Sequence, residues 1–177
     1  TASTTKSGST LNVDKSSDGI DWSALPTTEV TLTNDTLDIT KAGTYILTGD
    51  STASVHVNTD GNVRLVLNGV SIKSTTGAAV YIENAETTVV QLADDSSNTL
   101  QDASTRSDES IDGAVYSYDG LVINGNGLLT VKATFADGIV GKDDLNIDGG
   151  TLSVTSVDDG IRGKDSLTIT GGNITVD

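Results

Sequence analysis

The sequence predicts an all-β fold, a parallel β-helix (solenoid) with coils of about 22–25 residues. Three observations carry this expectation: a recurring Asp-Gly step, period-two alternation behind it, and a composition suited to short strands. Written under itself, the chain aligns DGAVYSYDGLVINGNGLLTV from Asp112, DGIVGKDDLNIDGGTLSV from Asp137 and DGIRGKDSLTITGGNITV from Asp159. The Asp-Gly steps fall 25 and then 22 residues apart, and Leu121, Leu145 and Leu167 follow at 24 and 22. Behind each Leu, alternation puts Leu and Ile on one face and polar residues on the other, as in Leu145-Asn146-Ile147 and Leu167-Thr168-Ile169. A Gly then turns the chain into another short strand. Strands this short cannot bury an apolar face alone, whereas stacked copies share one core.

The earlier chain joins more loosely. Residues 1–28 read as a polar linker (TASTTKSGST at its start) and an N-terminal cap segment, and 29–177 as one helix domain, cut short at its C-terminus. Residues 30–46 read as the first coil or cap, with Trp22 expected over its open end. Leu65-Val66-Leu67-Asn68-Gly69 and Val89-Val90-Gln91-Leu92 supply two further coils. The polar run 94–110 is expected to leave the stack as a loop. The chain stops just after a strand, and an open coil invites end-to-end self-association.

Composition excludes several function classes. There is no Cys, so no disulfide framework, zinc ribbon or thiol nucleophile is available. A net charge of −15 opposes nucleic acid and anionic membrane surfaces as partners, and suits a cation-binding protein. No apolar run approaches membrane-spanning length, so membrane insertion is not expected. His56, the only histidine, reads as an outward-facing strand residue, and no nucleophile–base set assembles around it. Tyr45, Tyr81 and Phe135 read as packing residues.

Stacking the repeats places Asp112, Asp137 and Asp159 on one edge and Asp143 with Asp165 on another, Asp119 being offset by one residue. Asp144 and Asp158 add carboxylates beside them. Like charges one coil apart repel by about 1 kcal/mol in water and about 4 kcal/mol at an effective dielectric near 20. Two readings of these ladders stand side by side. Calcium, a hard cation taking six to eight oxygens, would offset the repulsion, with Asp112, Asp137, Asp143, Asp144, Asp158, Asp159 and Asp165 as candidate ligands. Alternatively each Asp caps its own turn, and Lys142, Lys164 and Arg162 neutralise the rows without a metal.

The segments TLDITKAGTYILTGD (36–50), GNVRLVLNGVSI (61–72), GAVYSYDGLVINGNGLLTV (113–131) and the paired DGI-x-GKD steps resemble a family of bacterial surface carbohydrate-binding domains. That family consists of right-handed parallel β-helices, similar in shape to the pectate and other polysaccharide lyases. The resemblance covers residues 29–177. It implies a secreted or surface-attached, extracellular protein that binds plant-type polysaccharide, including acidic sugars of the pectin kind and cellulose-type chains, with calcium on the helix. Tyr116 and Tyr118 are then candidate sugar contacts, each equally readable as a turn or core residue. Lys142 and Lys164 are candidate sugar-binding cations. In the alternative reading as a calcium-dependent lyase, one of these lysines would be the base; an adhesin or filament subunit is the third.

Overall fold

The computed structural model describes residues 19–177 and the strand Ser3–Lys6. Every described element is a strand except one 3-10 turn, Trp22–Ala24. The strands form curled sheets, parallel throughout except for the pairing of Ser3–Lys6 with Thr27–Thr31, an arrangement compatible with a solenoid. They fall into three rows. The first runs through 63–67, Thr87–Leu92, Gly120–Gly125, Asp144–Ile147 and Ser166–Ile169. The second runs through 71–73, Ser97–Gln101, Leu128–Lys132, Thr151–Thr155 and Asn173–Val176. The third is a separate six-stranded sheet from Leu37–Ile39 to Ile161–Gly163.

Alternation builds the core as expected. Leu65, Val90, Ile123, Ile147 and Ile169 stack in register down the first row. The first four are at most 3% exposed, but Ile169, in the last coil, is 52% exposed. Burying such a side chain contributes about 1.5–3 kcal/mol, and that gain requires a coil on both sides. Leu121, Leu145 and Leu167 also pair in register, at the spacing the sequence predicts.

The corner between the first two rows needs glycine. Gly125 has φ +93°, and a Cβ there would lie 2.2 Å from the Leu92 carbonyl oxygen of the coil beneath. Gly49, Gly69, Gly150 and Gly172 share the positive φ.

Two expectations need correcting. The run 94–110 does not leave the stack as a whole, because Ser97–Gln101 pairs on both sides and buries Asn98 and Leu100. Asn98 makes this possible: its Oδ1 accepts from Gly69 N and Val70 N, while its Nδ2 donates to Ser96 and the Leu128 carbonyl. Only the stretch around 102–112 departs, so Val80 pairs with Val115 across an enlarged coil. Trp22 does not close the end of the stack. It packs sideways on the outer face of the first row, against Val89 and Val122, with the Arg64 guanidinium 4.8 Å from its ring. Of the proposed linker, Ser3–Lys6 is the strand already described and residues 7–18 lie outside the described residues.

Candidate functional site

The third sheet turns a row of unlike side chains outward. Its register aligns Asp38, His56, Tyr81, Tyr116, Val140 and Arg162, one from each coil. Flanking valines and isoleucines point inward, so alternation forces this row to the outer face. His56 stacks on Tyr81 with centroids 5.4 Å apart and planes 17° from parallel. Tyr118, in the turn beyond the sheet, meets Tyr81 at 6.2 Å and Tyr116 at 5.2 Å, both edge to face. Such pairs contribute about 0.5–1.5 kcal/mol each beyond area burial. Tyr118 is 40% exposed, whereas Tyr116 is fully buried. Of the two expected sugar contacts, only Tyr118 therefore presents a ring to solvent.

Carboxylates frame the rings. His56 Nδ1 lies 2.9 Å from Asp38 and Nε2 lies 2.6 Å from Glu83. Burial, with the charges of Glu83 and Asp108 nearby, pushes the Tyr81 phenol up to about 12. Burial likewise raises Tyr116 well above the ordinary tyrosine value. The 102–112 loop reaches over this face and closes a cleft of about 270 Å³, with His56, Tyr81 and Ala78 on one side and Arg106, Asp108 and Ile111 on the other.

Across the turn Tyr118–Asp119, the outer face of the first row carries a second concavity of about 540 Å³, lined by Asn62, Glu86, Asp143, Asp144, Asn146 and Asp148. Asp144 accepts a hydrogen bond from Ser166 at 2.6 Å and Asp148 one from Thr170 at 2.7 Å. Counting back from Leu121–Leu145 places Asp119 level with Asp143, in step rather than offset. Its carboxylate accepts from Ala85 N at 2.9 Å, capping the preceding turn.

The expected Asp112–Asp137–Asp159 edge is shifted at one end. Asp137 pairs with Gly113, so Asp112 sits one residue out of step; Asp137 and Asp159 remain level. Arg162 spans the offset. Its guanidinium holds both oxygens of Asp112 at 2.8 and 2.9 Å and reaches Asp137 at 2.9 Å. Asp137 is 1% exposed and also accepts from Asp159 N. Burial raises its pKa, against the pull of that backbone donor and of Arg162. The positive charge on this edge thus comes from Arg162. Lys142 is half-buried, Lys164 exposed, and neither has a carboxylate partner among the described residues. Asp143, Asp144, Asp158, Asp159 and Asp165 are exposed. Among the described residues, no three carboxylate or imidazole groups converge as a metal cage requires.

A carbohydrate-binding domain family, described as "Carbohydrate-binding domain-containing protein", matches residues 33–177. The chain belongs to that family. A carbohydrate-binding domain-containing protein of Acetivibrio thermocellus is 39% identical over an alignment of 124 residues that covers 66% of this chain and 43% of the relative. The chain thus spans less than half the length of the curated relative it matches. Among solved structures, the polysaccharide lyase-like protein from C. thermocellum, as a gadolinium derivative, is similar with a TM-score of 0.74 and 28% identity. That likeness covers 84% of this chain and 81% of the other.

The ring row is the feature the sequence reading missed. Val55-His56-Val57, Val80-Tyr81-Ile82 and Val115-Tyr116-Ser117 carry a common pattern, a ring between residues that face the core. The 102–112 insertion spoils the spacing that would have aligned them.

Proposed function

We propose that this chain is an extracellular polysaccharide-binding domain on a right-handed parallel β-helix, taking plant-type polysaccharide as ligand. The observation that carries the reading is the outward row His56–Tyr81 with Tyr118 across it, in a chain of a carbohydrate-binding family. A pyranose offers flat C–H faces to aromatic rings and hydroxyl donors to carboxylates such as Asp38 and Glu83. Rings held by neighbouring rings lose little freedom on binding, so little ordering opposes association.

Acidic, pectin-type sugars belong to the second concavity in this proposal, and they require a cation there. Glu86, Asp143, Asp144 and Asp148 supply acceptor oxygens, and among the described residues no lysine or arginine lines the concavity. Calcium suits such oxygens. Because no cage is prebuilt among the described residues, the ion is shared between these carboxylates and the sugar's own, and Asp112 and Asp137 stay with Arg162.

A glycan-binding screen of the intact chain, with calcium and with excess chelator, tests both parts. Neutral polysaccharides are expected to bind in either condition and pectin-type polymers only with calcium. Pectin binding that survives chelation removes the bridging ion. A screen with no binding to any polysaccharide removes the function.

A further inference from the structure

We propose that the cleft between the 102–112 loop and the ring row is a subsite for one neutral hexose unit; the inference rests on the carbohydrate reading and assigns it a place. Its volume of about 270 Å³ equals about nine waters at ~30 Å³ each, room for one pyranose with a few ordered waters. One wall is flat and apolar, formed by the stacked rings of His56 and Tyr81 beside Ala78. The opposite wall is the loop, with Ser107, Asp108 and Ile111.

The loop is built to stay in place. Arg106 donates to the carbonyls of Ala103, Ile111 and Gly113 and to Asp102 at 2.6 Å. Asp102 in turn accepts from both the backbone N–H and the hydroxyl of Thr134. Both charged side chains are at most 2% exposed, and Phe135 lies 4.8 Å from the guanidinium. A charge pair this deeply buried survives only with its geometry complete, so the cleft wall is fixed before any ligand arrives.

The same arrangement selects charge. Among the described residues Arg106 is the only lysine or arginine lining the cleft, and four of its five N–H donors are taken by Asp102 and three carbonyls. Asp108 lines the mouth, with Oδ1 accepting from the backbone and hydroxyl of Ser110. Asp38 and Glu83 flank the His56 ring. Hydroxyl donors meet acceptors there, whereas a uronate carboxylate meets its own sign.

The test exploits two features. A Cβ on Gly77, which lines the cleft, would have no atom within 4 Å, so Gly77→Trp can fill the cleft without moving backbone. His56 is the only histidine, so one imidazole resonance reports on the site. The intact chain would be titrated in chelator with cellotetraose, mannotetraose and tetragalacturonate, following that resonance by NMR and affinity by calorimetry. A neutral tetrasaccharide is expected to shift it, and Gly77→Trp to weaken binding at least tenfold at an unchanged melting midpoint. Ser107→Trp, filling the cleft from the loop side, serves the same purpose should Gly77→Trp not fold. Undiminished neutral binding in the folded variant overturns the subsite and leaves polysaccharide binding standing. An equal response to tetragalacturonate overturns the neutral selectivity. Failure of every oligosaccharide and polysaccharide to bind the unmodified chain overturns the carbohydrate reading itself.

Discussion

The ring row and the acidic concavity lie on either side of one turn, Tyr118–Asp119, and are built from the same coils. On the ring row, stacking a residue on its equivalent is favourable, and polar side chains find partners: His56 contacts Asp38 and Glu83, and Arg106 pairs with Asp102. In the concavity, Glu86, Asp143, Asp144 and Asp148 accumulate one sign, with no lysine or arginine lining it among the described residues. A solenoid amplifies whatever its outward positions carry, stabilising rings placed in a ladder and penalising like charges. In the proposal, accordingly, the concavity takes the bridging cation and the ring row takes none.

Breaking the pair that holds the loop is the most severe way to separate the two. Asp102→Ala strands a buried guanidinium and is expected to cost about 3–5 kcal/mol of stability, read by denaturant unfolding. It should abolish binding in the cleft and spare any calcium-dependent binding in the concavity. Gly125→Ala strikes the corner instead. The positive φ and the close Leu92 carbonyl should destabilise by about 1–3 kcal/mol, without preference between the two surfaces. Asp143→Asn with Asp144→Asn sharpens the contrast from the other side. Pectin-type binding in calcium should fall about tenfold (about 1.4 kcal/mol) while neutral-sugar binding stays unchanged in calorimetry.

A further effect concerns pH. The folded chain holds the Tyr81 proton up to about 12, against an ordinary value of 10.0. Between those values the unfolded chain ionises first and the folded chain retains the proton, so stability falls as pH rises through that window. Tyr81→Phe should flatten the fall, as measured by melting at alkaline pH.

How much of this was legible beforehand follows from where the sequence is regular. Leu121, Leu145 and Leu167 sit in unbroken repeats, and their register was readable because nothing is inserted between them. The Asp112 offset was not readable, since one extra residue between Asp112 and Val115 leaves the local motif intact. Ser97–Gln101 looked like loop because its inward Asn98 is polar, and only its four corner hydrogen bonds explain why it belongs inside. The candidate site was half visible. Tyr118, Asp143 and Asp144 were singled out and Glu86 and Asp148 were not, while Tyr81 was assigned to packing and the His56–Tyr81 wall depends on a long-range register hidden by the insertion. The partner of the Asp edge was among the cations named from the repeat: Arg162 pairs with Asp112 across 50 residues of chain, whereas Lys142 and Lys164, named beside it, do not.

Trp22 has a use that its packing alone does not suggest. It is the sole tryptophan, pressed on Arg64 and Val122 beside Ile20, which lines the head of the acidic concavity. The rings of the ring row, by contrast, are His56, Tyr81, Tyr116 and Tyr118. The molecule is therefore wired with two spectrally separate reporters, indole emission for one surface and phenol absorbance for the other. Occupancy of each could be followed in a single cuvette without attaching a dye.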